Sequence, residues 1–338
     1  MDRFALELLR AWSRLYAVDG NVRVVLPRSA VEVDRGRVGL PVDTIGRFKG
    51  HAWEQIDLRM HCANEMLINL CNTGPIFHQS QLVVIHDAGV MATPLSYTWR
   101  FRTWQRLLSA QLMQRARTVA TVSKFSASEL MRYFPSTRKK LEIIYESGEH
   151  ILNVAADDEI LTRLALVGQP YVLAVGSRSA NKNFSAVVRA APLLADLNTK
   201  IVAVGATNSR IFAGDNLDTA NLVLAGYVTD GELRALYQNA QCFVFPSFYE
   251  GFGLPPLEAM HCGCPTIVSR QSAMPEICGP ASLYFNPYDP ADLAGQVRRL
   301  LSSRELMVEM REAGLIRANR FSWNNAATQL QALLYATN

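Results

Sequence analysis

Residues Cys242–Ser269 read CFVFPSFYEGFGLPPLEAMHCGCPTIVS, and this stretch decides the fold class. CFVFPS is a short apolar run closed by proline and serine, PLEAMHCG has helical spacing, and PTIVS returns to β-branched residues. A strand, a bend, a helix and a second strand in quick succession form one βα unit of a parallel sheet. The bend carries Glu250 before it and Glu258 after it, with Gly251, Phe252, Gly253 and Leu254 between. Bare backbone N–H groups at the mouth of a helix opened by Pro255 and Pro256 attract an anion. Two carboxylates beside an anion need another purpose, which is to accept hydrogen bonds from hydroxyls on either side of a phosphate. A nucleotide sugar has that shape, with a ribose on one side and a hexose on the other. Standing alone, the stretch reads equally as a helix-start acid plus a surface acid.

Outward from this unit the pattern repeats. YVLAVGS (Tyr171–Ser177), KIVAVGA (Lys200–Ala206) and LVLAGYV (Leu222–Val228) read as strands, with helices over Phe184–Leu197, Asp230–Ala240 and Ala291–Ser303. Towards the N-terminus, VRVVL (Val22–Leu26), LVVIHDAG (Leu82–Gly89), TVATVS (Thr118–Ser123) and LEIIY (Leu141–Tyr145) repeat it, and Ser126 with Glu129 predicts a capped helix start. Phe4, Leu8, Trp12 and Leu15 recur at helical spacing over Asp2–Tyr16. Strands alternating with helices predict an α/β protein of two doubly wound, Rossmann-like domains facing a cleft. A chain of 338 residues fits two domains at ~100–200 residues each.

Composition narrows the function class. A hydrophobic fraction of 49% with 19% charged residues is that of a soluble globular protein. No run of ~18 apolar residues predicts a membrane span, and the N-terminus lacks a secretory signal. Six irregularly spaced cysteines predict reduced thiols and a cytoplasmic location. A net charge of +4, with no recognisable module, argues against nucleic acid. Neither GxxxxGK[ST] nor GxGxxG occurs, so no P-loop or dinucleotide fingerprint supports a cofactor.

In GSRSANKNF (Gly176–Phe184), Arg178 and Lys182 offer cations beside a helix start, read either as a phosphate site or as a solvated basic loop. His261, Cys262 and Cys264 lack a second ligand pair, so no metal is expected. TWRFRTWQRLL (Thr98–Leu108) reads as a solvated helix with a buried aromatic face, or as one lying on an anionic membrane surface.

The segment FVFPSFYEGFGLPPLEAMHCGCPTIVS resembles the signature of retaining glycosyltransferases of the family-4 type, which have the GT-B fold. VVIHDAGV, TVSKFSASEL, VGSRSANKNF and AGYVTDGELRALYQNA follow in the family's order, and the likeness is closest to bacterial enzymes adding mannose or related sugars during polysaccharide assembly. The resemblance implies that Glu250 faces the donor sugar, that Glu258 holds the ribose, and that Gly253, Leu254 and Lys182 cradle the diphosphate. It implies that Gly226, Tyr227 and Val228 line the base. It also implies that His86 reaches across the cleft to the sugar, with Asp87 near the acceptor. The implied reaction is retaining and metal-independent, without a DxD motif, between a nucleotide diphosphate sugar and a saccharide or lipid-linked saccharide.

Domains are expected at residues 1–160 for the acceptor side and 161–321 for the nucleotide sugar, with a closing helix at 322–338 packing back on the first. Two departures stand out. Ser177 rather than arginine follows Gly176, which makes Arg178 a less secure phosphate ligand than Lys182. The sequence also starts at Met1 inside a motif that relatives precede with a strand and a glycine-rich loop. Either the start is misassigned or that loop is missing, and the second case implies reduced or absent activity. The alternative function is a non-catalytic nucleotide-sugar-binding or assembly protein of the same fold.

Overall fold

Continuous runs of valine, isoleucine, leucine and alanine bury both faces of a strand, which only a sheet covered on both sides allows. The computed structural model describes residues 2–16, 22–30, 38–137, 140–176, 179–205 and 221–336. It divides into one unit of Met1–Glu146 with Ser322–Asn338 and a second of Ser147–Phe321. The division falls at 146/147 rather than at the expected 160/161. Gly148 lies so close to the helix Leu254–His261 that a Cβ there would sit 2.5 Å from the Glu258 nitrogen, which ties this segment to the second unit.

In the first unit, β1 (Val24–Pro27) and β2 (Val42–Ile45) form a parallel pair, Val24 opposite Val42. A separate parallel sheet runs β3 (Leu67–Asn69), β4 (Gln81–Val84), β5 (Thr118–Thr121) and β6 (Leu141–Ile143) in chain order. β4 and β5 are buried at every position. The unit's longer helices include α1 (Asp2–Tyr16), α2 (Trp99–Arg115) and α3 (Lys124–Tyr133). The cap of α3 is Ser123, whose Oγ accepts from the Ser126 N–H at 2.9 Å, so the helix starts one turn before the expected Ser126–Glu129 box. On α1 the buried stripe is Phe4, Leu8, Ala11 and Trp12, while Leu15 is exposed.

The second unit is one parallel sheet of six strands in the order β12-β11-β10-β7-β8-β9. The strands are β7 (Tyr171–Val175), β8 (Lys200–Val204), β9 (Leu222–Gly226), β10 (Cys242–Phe245), β11 (Thr266–Ser269) and β12 (Ser282–Phe285). From β7 the chain builds outward through β8 and β9, then returns to place β10 on the other flank of β7. That reversal makes a switch point between β7 and β10, where the loops after both strands meet and ligands bind in open α/β sheets. Helices α4 (Phe184–Ala190), α5 (Asp230–Asn239) and α6 (Leu254–His261) belong to this unit. The chain ends with α7 (Trp323–Ala336) back in the first unit, Trp323 edge-on to Phe4 and Gln331 accepting from Trp12 Nε1 at 2.7 Å. No helix among the described residues is long and apolar enough to cross a membrane.

Candidate active site

The switch point delivers two loops side by side, and backbone groups stitch them together. The Phe248 N–H donates to Asn181 O at 2.7 Å, and Asn181 Nδ2 donates to Tyr249 O at 3.2 Å. Asn183 takes the left-handed conformation, φ 49°, and its buried Nδ2 donates to Pro246 O and Pro287 O at 3.1 and 2.8 Å. Asparagine tolerates that conformation better than other non-glycine residues. Both bonds hold the amide nitrogen of Asn183, which gives this residue a structural part in joining the loops.

Across this seam Lys182 Nζ lies 2.7 and 2.9 Å from the two carboxylate oxygens of Glu250. Both side chains are mostly buried, and Lys182 also stands 5.8 Å from the Phe245 ring centroid. The Glu250 N–H donates to Ser272 Oγ at 3.0 Å, which holds the backbone that aims the carboxylate. One turn further, Gly253 opens α6 at φ 122°, a conformation reserved for glycine. A Cβ there would also meet Met274 Cε at 2.5 Å. Two prolines at the helix start remove their own N–H groups. The N–H groups of Gly253 and Leu254 have no acceptor among the described residues. A cation and two free donors converge near one carboxylate, a set that fits a phosphate beside a hydroxyl-bearing group. Gly251 and Phe252 complete the bend, Phe252 being buried edge-on to Phe321. Arg178 lies outside the described residues.

At the carboxyl ends of β7, β8 and β9 glycines let backbone approach backbone. The Gly205 N–H donates to Gly226 O at 2.7 Å, and a Cβ on Gly205 would lie 2.4 Å from Gly176 O. Beyond Gly226, Tyr227 is 87% exposed while Val228 is buried. The exposed ring is a face on which a base can stack.

Glu258 sits in a buried network. Its Oε1 lies 2.9 Å from His150 Nε2, its Oε2 accepts from Tyr237 OH at 3.2 Å, and His150 Nδ1 faces Ser147 O at 3.3 Å. Burial, reinforced by Glu258, holds the Tyr237 phenol well above its ordinary pKa, so it remains a donor.

The two first-unit residues follow β4. His86 is buried with Nδ1 2.9 Å from Glu146 Oε1 and Nε2 2.9 Å from Leu70 O, and its ring meets Phe4 edge-on. Asp87 Oδ1 accepts from the Gly89 N–H at 2.6 Å and starts the helical turn Gly89–Ala92.

Comparison with known proteins sets these residues in a family. The family described as glycosyl transferases group 1 matches residues 158–317. O-antigen chain mannosyltransferase B of Escherichia coli is 31% identical over 273 residues, covering 76% of this chain and 71% of that protein. The chain belongs to the group 1 glycosyl transferases. The serotype-specific mannosyltransferase WbdA of Escherichia coli is 30% identical over 228 residues, 63% of this chain but only 28% of WbdA. Among solved structures, Anabaena HepE in complex with UDP and glucose aligns with a TM-score of 0.74 at 14% identity, over 98% of this chain and 95% of that one. The expected GT-B architecture and the likeness to polysaccharide mannosyltransferases are borne out.

In this glycosyl transferase the sequence did not single out His150, Tyr237, Asn183 or Ser272, which hold the site's side chains and loops in place. Only Asn183 left a local signal, an asparagine immediately before a helix. In the MHCGCP segment burial pushes the Cys262 thiol up to about 12 and lowers His261 to about 4, with His150 adding to the latter effect. His261 Nε2 is buried without a hydrogen-bond partner among the described residues. Between pH 4 and the ordinary histidine value of 6.5 the unfolded chain therefore binds more protons than the folded one, and stability falls as pH drops through that window. His261 is expected to account for a loss of up to about 3 kcal/mol there. Urea unfolding of wild type and His261→Leu at both ends of the window measures it, the variant showing the flatter dependence.

Proposed function

We propose that this chain is a retaining, metal-independent hexosyltransferase of polysaccharide biosynthesis, with GDP-mannose as donor and a saccharide or lipid-linked saccharide as acceptor. Similarity to two mannosyltransferases supports the sugar. The observation that carries the chemistry is the Lys182–Glu250 pair beside the unbonded N–H groups of Gly253 and Leu254.

In this reading the diphosphate takes Lys182 and the two N–H groups. The arriving anion replaces Glu250 at the lysine, and the released carboxylate accepts from the sugar hydroxyls. Glu258 uses the second lone pairs of its oxygens for the ribose, leaving His150 and Tyr237 in place. Gly226, Tyr227 and Val228 serve the base. The bond from C1 to the diphosphate oxygen breaks, and the acceptor oxygen bonds C1 on the same face. The acceptor proton passes to the departing phosphate oxygen. Lys182 and the mouth of α6 stabilise that developing charge, a role a metal fills elsewhere. Asp87 serves the acceptor. His86, with both ring nitrogens engaged, must release Glu146 or Leu70 before it touches a sugar. The reaction takes place in the cytoplasm, at the membrane surface when the acceptor is lipid-linked.

Thermal unfolding with GDP-mannose, GDP and UDP-glucose tests the donor, the guanine ligands raising the midpoint most. Product configuration by NMR, with and without EDTA, tests the rest. An inverted product overturns retention, and loss of transfer in EDTA overturns metal independence. A chain that binds donor but transfers to no acceptor is the non-catalytic binder instead.

A further inference from the structure

The aromatic residues of α2 are not its buried face. The buried stripe is Gln105, Leu108, Ser109, Leu112 and Met113, whereas Trp99, Phe101 and Leu107 are exposed at 69, 43 and 59%. The helix carries Arg100, Arg102, Arg106 and Arg115 and no acidic residue. Arg100 lies over the Trp99 ring, and Arg115 bonds Gln111 and lies over Phe77. The guanidinium groups of Arg102 and Arg106 make no hydrogen bond, ion pair or ring contact with any described residue. They stand one turn apart on the same side, where like charges repel. Both line a cavity of about 280 Å³ whose other walls include Trp99, Val90, Met91 and Tyr133. Val90 and Met91 come from the helical turn that Asp87 starts.

We propose that this cavity binds a phosphate group attached to an apolar chain. Two guanidinium groups match the oxygens of one phosphate monoester or diphosphate, and no carboxylate lines the cavity to oppose them. A free phosphate would leave the aliphatic and indole walls wet. A plain hydrocarbon would leave two like charges unneutralised. The ligand that satisfies both is an amphiphile with a phosphate head, and the exposed Trp99, itself a wall of the cavity, and Leu107, next to Arg106, lie along the same helix to meet its tail. As the anchor of a lipid-linked acceptor the site rests on the glycosyl-transfer reading, while as an anion-and-tail site it stands on the first unit alone.

The test is calorimetric titration of the full chain with decyl phosphate below its micelle concentration, against decanol and inorganic phosphate. Decyl phosphate is expected to bind roughly ten-fold tighter than either, and Arg102→Gln with Arg106→Gln to lose about that factor. Arg100→Gln with Arg115→Gln removes equal charge outside the cavity and is expected to stay within about twofold. Equal losses in the two pairs overturn the site, as does inorganic phosphate binding as tightly as decyl phosphate. Should the first pair misfold, a chain-brominated decyl phosphate replaces it: quenching of tryptophan fluorescence is expected in wild type and is largely lost in Trp99→Phe. Unchanged quenching in that variant overturns the proposal. Retention on phosphatidylglycerol vesicles that decyl phosphate does not compete away reassigns the arginines to a bilayer surface and also overturns it. Binding of decyl phosphate by a chain without transfer activity removes the acceptor role and keeps the site. Transfer without such binding overturns the site and leaves the glycosyl-transfer reading standing.

Discussion

Lys182→Ala is expected to lower kcat/KM for glycosyl transfer roughly 10²–10³-fold, the scale seen when one preorganised charge-stabilising group is removed. The loss has two parts. The ammonium that would meet the diphosphate is gone, and Glu250, 2.7 and 2.9 Å from that ammonium in wild type, becomes an uncompensated carboxylate at the place an anion must enter. Donor affinity should therefore fall further in Lys182→Ala than in Lys182→Ala combined with Glu250→Ala, because the second change removes the repelling group. Transfer should fall at least as far in Glu250→Ala and in the double variant, because in the proposed reading Glu250 also accepts from the sugar hydroxyls. Their folds should survive, the pair lying at loop ends rather than in the sheet core. A double-mutant cycle on nucleotide binding measures the coupling, and additive effects would mean the two residues act independently. Full transfer activity in both single variants would sink the site assignment.

Gly148→Ala should destabilise the second unit although it removes no contact. The added methyl carbon would lie 2.5 Å from the Glu258 nitrogen and 2.6 Å from the Leu257 carbonyl carbon, and both are backbone of α6. Neither can swing aside as a side chain can, so the segment carrying His150 must lift off the helix. Overpacking of this kind costs about 1–3 kcal/mol. The same movement separates His150 Nε2 from Glu258, now 2.9 Å apart, and lets the carboxylate wander from its network with Tyr237. Urea unfolding and GDP affinity should weaken together. A variant as stable as wild type that binds GDP less well would show that the contact serves the ligand and not the fold.

Much of the second unit was legible because its strands are unbroken apolar runs ending in glycine or proline, as in YVLAV before Gly176 and CFVF before Pro246. Three strands were not. VDTI is half exposed, LIN is three residues long, and SLYF follows directly on a helical turn, so none offers a periodic signal. The helix Arg304–Ala318 also passed unread, its apolar residues too evenly spread to mark a face. At the site, the glutamates and the helix mouth showed in the residues themselves. The pairing of Lys182 with Glu250 did not, because 68 positions separate them and only the strand order beside β7 brings them together. Composition similarly pointed to an aromatic face on α2 but could not say which way it turned. Burial of Leu108, Leu112 and Met113 against the sheet decided that.

The division of the chain also bears on how the protein is made. The second unit is one uninterrupted segment, whereas the first needs residues from both sides of it. A nascent chain that has emerged as far as Phe321 holds every strand of the six-stranded sheet, yet α1 still lacks the Trp323 that meets Phe4 and the Gln331 that holds Trp12. On the ribosome the second unit can therefore mature early. Its companion waits with the apolar stripe of α1 uncovered, open to chaperones and to proteases until synthesis reaches α7.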